Sequence, residues 1–186
     1  MVVVIGLLVG VSVGLASLLP QNPTTVPSGA QPVDTDLPFS DTTTFASHRF
    51  SMDEGFHFNL VDGWELIGHT PDRSVDRYRF ERKADAGATI FTLSVYTTSQ
   101  TASFDALVQA RYGAAYLREQ EDVTVNGLAA KRVTADFLDM GATADVLVKA
   151  DNNTFVSLYG IRQPSLSGDL TVAKEINFMQ KSFQAN

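Results

Sequence analysis

Cysteine is absent from all 186 residues. That removes disulfides, thiolate nucleophiles, cysteine-based zinc sites and lipid attachment through an N-terminal cysteine. Positive charge is missing from the start of the chain: residues 1–48 hold no Lys or Arg, while Asp34, Asp36 and Asp41 fall there. Over the whole chain 21 acids face 14 bases, a net charge of -7. Such a chain has no electrostatic footprint for a phosphate backbone, so nucleic acid is not a predicted partner. Histidine is scarce. His48, His57 and His69 form neither a HExxH pair nor any i, i+4 helical set. His57 and His69 could meet Asp72 or Asp76 if the first two strands paired as a hairpin. Scattered histidines, however, seldom supply the several oriented ligands a metal needs. No serine sits in GxSxG, no glycine-rich phosphate loop is present, and the carboxylates are spread over turns and polar faces. The sequence therefore nominates no catalytic residue, no metal ligand and no cofactor.

What the chain does have at its start is one long apolar run. Residues 2–19 are uncharged and almost wholly apolar. As a helix they reach roughly 27 Å, against about 30 Å of membrane hydrocarbon. A cleaved secretory signal has an apolar core of only about 7–15 residues and a clearer cleavage site than Gly14-Leu15-Ala16. Residues 1–19 are therefore read as a single-pass transmembrane anchor or uncleaved signal. Gly6, Gly10 and Gly14 recur every fourth residue on one helix face, where a partner membrane helix can approach closely. Glycine is also simply common in membrane spans. Residues 20–49 hold five of the seven prolines among many Thr and Ser, and read as a disordered linker in which only Phe39 and Phe45 invite docking. Residues 50–186 are long enough for one well-buried domain.

Within that domain, residues 121–162 read as a four-strand meander. Asn126-Gly127 is a type I′ hairpin signal, because both central positions need positive φ. Asp139-Met140-Gly141 and Asp151-Asn152-Asn153 mark the other reversals; Asn152-Asn153-Thr154 also matches a glycosylation acceptor but is read as a turn. Val133, Ala135 and Phe137 share one face. Val146 and Val148 oppose Asp145 and Leu147. The last strand carries Phe155, Tyr159 and Ile161 against Val156 and Leu158, so it should be central and covered twice. Upstream, Phe56, Phe58 and Leu60 alternate, Asp62-Gly63 turns the chain before Trp64, Tyr78 and Phe80 alternate, and Phe91, Leu93 and Val95 face the core. Ser103 caps a helix with Asp105 in its first turn and a stripe of Phe104, Leu107, Val108 and Ala115, interrupted at Arg111. A final helix from near Ser167 and Asp169 shows Val172, Ile176, Met179 and Phe183. The fold class is α+β: an antiparallel sheet of six to eight strands between two helices.

This order of parts is familiar: Phe-rich strand, Gly63-Trp64, a hairpin, the strand with Ile90 to Val95, and a helix opening Ser103-Phe104. Asn126-Gly127 with Ala129-Ala130 follows, then Phe155-Val156-Ser157-Leu158-Tyr159 and a closing Lys181-Ser182-Phe183. Over roughly residues 52–184 the chain resembles the PsbP-like superfamily, small extracytoplasmic bacterial relatives included. The resemblance implies an antiparallel sheet between helices and a binding or assembly role without enzymatic chemistry; it transfers no functional residue. The expected function is a membrane-anchored extracytoplasmic module, on the periplasmic or cell-surface side, for a membrane protein complex. The alternative is a carrier of a small apolar ligand or ion between helix and sheet; a hydrolase built from scattered residues ranks last. Tyr112 and Tyr116, four apart on the first helix, offer an aromatic partner surface, although such tyrosines more often pack against the sheet. Arg77, Arg79, Arg82 and Lys83 cluster where an acidic partner or lipid headgroups could bind, diluted by Asp76, Glu81 and Asp85.

Overall fold

The computed structural model describes residues 37–72, 75–86, 89–97, 103–137, 141–162 and 170–185. The anchor read over residues 1–19, with Gly6, Gly10 and Gly14, lies outside them. Among the described residues no helix is long and apolar enough to cross a membrane. In chain order the elements are β1 (Ser47–Ser51), β2 (Phe56–Val61), β3 (Trp64–Thr70), β4 (Val75–Arg82), β5 (Thr89–Thr97) and α1 (Phe104–Tyr116). Then come β6 (Leu117–Val125), β7 (Leu128–Phe137), β8 (Gly141–Lys149), β9 (Thr154–Arg162), α2 (Leu170–Lys181) and β10 (Gln184–Ala185).

The strand with apolar residues on both faces is central. β9 stands fourth in a seven-stranded antiparallel sheet ordered β3-β4-β5-β9-β8-β7-β6. Its Val156 and Leu158 join one core, with Phe80, Phe91, Leu93, Val146 and Val148. Its Tyr159 joins a second core on the opposite face, with Val108 and Tyr112 of α1 and Val133, Ala135 and Leu147. Alternation alone produces this division, since successive side chains leave opposite faces.

On the first face lie α2 and a second sheet, ordered β1-β2-β10. The sequence reading of one sheet is therefore corrected to two. β2 does not pair with β3; Asp62-Gly63 carries the chain from one sheet to the other. Stacked sheets let Phe58 of β2 face Phe80 and Phe91 at centroid separations of 5.4 and 5.6 Å, and one sheet would have set these rings side by side on a single surface. The Phe58–Phe80 pair is edge-to-face at 86°, a geometry that adds about 0.5–1.5 kcal/mol beyond burial, and the Phe58–Phe91 pair is tilted at 57°.

The linker boundary at residue 49 also moves. β1 begins at Ser47, Phe45 packs edge-on against Phe178 at 5.7 Å, and Phe39 lies over Arg132 and Lys181. Arg132 donates to the Leu37 carbonyl at 2.7 Å, and Lys181 donates to that of Asp41. A few aromatic anchors and basic side chains reaching carbonyl groups hold down this Pro/Thr-rich segment, along which residues 37–48 alternate between half-buried and exposed.

Two backbone positions are set by glycine chemistry. Asn126 and Gly127 have φ of 46° and 84°, the positive pair the hairpin requires. Gly113 has φ 62° and ψ 164°, a region essentially reserved for glycine, and it breaks α1. A third glycine matters for space. A Cβ on Gly160 would lie 2.5 Å from Ile176 Cγ2, because α2 crosses β9 there. Gly160→Ala should cost about 1–3 kcal/mol by overpacking. Urea titration of Gly160→Ala, Ile176→Ala and the double variant should show the double costing less than the sum of the singles; additive costs would mean the contact is not the cause.

Candidate functional site

Ser103 caps α1 as expected: its Oγ accepts from the Ala106 N–H at 3.1 Å. The capped helix lays Val108 and Tyr112 on the sheet, and Arg111 turns out not to interrupt the stripe. It reaches down into it. Asp145, on β8 and 0% exposed, lies beneath the helix, and Arg111 Nε approaches it to 3.3 Å. Tyr112 and Ser157 both donate to the same carboxylate, Ser157 at 2.8 Å. Arg111 also donates to Tyr96 Oη and rests 4.8 Å above the Tyr159 ring. Burial, the largest single influence, would lower the Arg111 pKa, but Asp145 together with Tyr112, Tyr96 and Tyr159 raises it on balance, so the guanidinium stays ionised. Burial, and then Asp145, push the Tyr112 phenol up. Tyr112 is only 3% exposed. The partner-facing placement read for it is corrected: its ring fills the second core and its hydroxyl serves Asp145. The Tyr116 side chain lies outside the described set. The space between α1 and the sheet, where a carried ligand would sit, is filled by Val108, Tyr112, Leu147 and Tyr159.

A second polar cluster ties α2 to the start of the main sheet. Trp64 Nε1 donates to Glu175 Oε2 at 2.8 Å, and Arg82 reaches Glu175 at 3.0 Å and Asp85 at 2.7 Å. The hydrogen bond to Asp85, followed by the opposing effect of burial and then the Glu175 charge, leaves the Arg82 pKa raised.

The histidines are dispersed. His48 lies 3.2 Å from Asp62, and His57 Nε2 is 3.1 Å from Gln184 Oε1 with Nδ1 buried and unpartnered among the described residues. His69 lies 2.8 Å from Asp76 and stacks on Tyr78 at 4.1 Å. Because β2 and β3 belong to different sheets, His57 and His69 do not meet. Among the described residues no three His, Asp or Glu side chains are placed to hold a metal ion. Ser157 has no histidine beside it; its hydroxyl is spent on Asp145. A shallow depression of about 440 Å³, bounded by Asn126, Leu128, Gln184 and Ala185, opens near the end of α2.

A junction of titratable side chains joins the turn between β1 and β2 to β4. Tyr78 donates to Glu54 at 3.0 Å, Asp76 acts on the same Glu54 carboxyl, and Asp76 pairs with His69 at 2.8 Å. Burial, then the bond to Asp76, raise the Glu54 pKa. Burial would raise Asp76 too, but its bonds to Glu54 and His69 hold it below the ordinary aspartate value. Glu54 therefore contributes stability at low pH that is lost as pH rises through its raised value. Asp76 contributes above its ordinary value and loses this as pH falls through its lowered one. The junction is strongest between the two, where one proton is shared. Glu54→Gln, which keeps a neutral donor, should remove the loss on the alkaline side. Melting curves from pH 3 to 8 should show wild type falling relative to the variant by about 0.5 kcal/mol, small because Glu54 is exposed. Parallel curves would refute the shared proton.

No family model matches the chain, and no curated protein does. Among solved structures it is similar to the solution structure of cyanobacterial PsbP (CyanoP) from Synechocystis sp. PCC 6803. The two share 13% identity with a TM-score of 0.57, over 81% of this chain and 99% of that one. At that identity the likeness speaks to architecture alone, and with the sheet and helices described above it establishes that this protein has a PsbP-like fold.

Proposed function

We propose that this protein is a non-catalytic binding or assembly module, held on the extracytoplasmic side of a membrane by residues 1–19, and that it serves a membrane protein complex. The observation that carries the reading is the likeness to CyanoP, which spans 99% of that chain. Two further features support it. The polar clusters at Asp145 and Glu175 are turned inward and spent on holding helices, so the chemistry left for a partner is that of surfaces. The apolar leader also supplies the tether that such a module uses. The full chain, tagged at its C-terminus and extracted in mild detergent, should bring down a stoichiometric membrane partner. Repeated recovery of the lone chain, or its presence in the cytosolic fraction, would overturn this reading.

A further inference from the structure

α1 covers only part of its face of the main sheet. Its apolar side chains rest on β7, β8 and β9 and Arg111 reaches Tyr96 on β5, while on the same face β4 presents Arg77 and Arg79, both exposed. The β4 end of the sheet carries four cations, and two are spent inside the molecule: Arg82 on Asp85 and Glu175, and Lys83 on Glu65 at 3.1 Å. Arg77 and Arg79 have no ion pair among the described residues. The register continues from them toward the helix. Arg77 stands opposite Ser94, and Arg79 opposite Thr92, which in turn stands opposite Tyr159. Arg111 sits over that Tyr159 ring with 24% of its side chain exposed. The result is a shelf floored by Thr92, with Arg77 and Arg79 along one side, the half-buried Glu81 beyond Arg79 on the same face, and α1 at Arg111 as the opposite wall.

We infer that this shelf is a docking surface for an acidic protein segment lying extended, with carboxylates at alternate residues that pair Arg77 and Arg79. The inference rests on the module reading above and names the surface through which it acts. Arg77 and Arg79 are two residues apart on one face of a strand, a separation of about 6.6–6.8 Å, which is also the spacing of alternate side chains in an extended partner. Guanidinium groups bind carboxylates in a two-point fork, so an arginine pair on a rigid strand recognises such a segment by position as well as by charge. A protein segment is favoured over an anionic membrane or a polyphosphate. The chain carries a net -7, and an extended anionic surface would meet that whole field, whereas a short segment with two carboxylates can sit over Arg77 and Arg79 and stop short of Glu81, the next residue on that face.

The test uses the full chain in detergent and a fluorescein-labelled peptide of alternating Ser and Glu, with alternating Ser and Lys as the control. Wild type should bind the acidic peptide, more weakly by roughly tenfold between 50 and 300 mM salt. R77A/R79A and R77E/R79E should each weaken binding at least tenfold while melting like wild type, and R49E on the other sheet should leave binding unchanged. Absence of wild-type binding, equal binding by the variants, binding only to phosphatidylglycerol vesicles, or self-association abolished by R77E/R79E would each overturn the shelf as described. If the R77E/R79E chain still brings down its membrane partner in full, the shelf fails and the module reading stands. If wild type brings down none, the module reading itself fails.

Discussion

Asp145→Ala should cost this protein about 3 kcal/mol of folding free energy, read as a lower urea midpoint with unchanged slope. Removing one partner of a buried ion pair costs about 3–5 kcal/mol, because the other charge is left in low dielectric. The lower end applies because Arg111 keeps 24% of its side chain exposed. The loss has three parts: Arg111 loses its counter-charge, and the Tyr112 and Ser157 hydroxyls each lose the carboxylate that accepts from them. Replacing both ions by apolar side chains, Arg111→Met with Asp145→Leu, should recover only the part due to the stranded guanidinium. An apolar pair is often as stable as the ion pair it replaces, while the Tyr112 and Ser157 hydroxyls still lose the carboxylate. A double variant as unstable as the single would mean that the sheet beneath α1 needs the carboxylate itself. A single variant within about 0.5 kcal/mol of wild type, the size of an exposed pair, would mean that water already reaches the site.

Glu175→Ala should be the next most damaging change, at about 2–4 kcal/mol by the same logic of stranded partners. Trp64 is 3% exposed and gives its indole N–H to Glu175, so the truncation leaves a buried donor unmatched and Arg82 with only Asp85. Glu175→Gln separates the two effects. Its amide oxygen can still accept from Trp64, but it carries no charge for Arg82, so its cost should be about half. Because Trp64 is the only tryptophan, its fluorescence reports the site directly: emission should shift to longer wavelength in Glu175→Ala and little in Glu175→Gln. Equal shifts in both would assign the effect to loss of the charge and not to the orphaned indole.

These two clusters show where sequence reading stops. Asp145 was correctly placed on the face opposite Val146, yet an acid alternating with apolar residues looks like a solvent-facing position. Only the arrival of α1, whose Tyr112 lies 33 residues earlier in the chain, turns that face inward and makes the acid a buried anchor. Arg111 looks like a break in a stripe for the same reason: its partner is distant in sequence, and side-chain periodicity carries no information about an ion pair. Trp64 and Glu175 lie on β3 and α2, and no local signal links them. The histidine reading failed on topology. It needed β2 and β3 to pair, and a turn at Asp62-Gly63 serves a hairpin and a sheet-to-sheet crossing equally well.

By itself the sequence determined the properties that depend on neighbours along the chain. They include the turn at Asn126-Gly127, the cap at Ser103, the alternation that splits the strands into two faces, the centrality of β9 and the resemblance to PsbP-like proteins. Tertiary structure alone decided the division into two sheets, the docking of residues 37–46, the inward turn of Tyr112, and which of the β4 arginines and their neighbours remain uncommitted. Local rules act through backbone dihedrals and side-chain periodicity, which span a few residues. Burial and charge pairing are settled only when elements far apart in the chain exclude water between them.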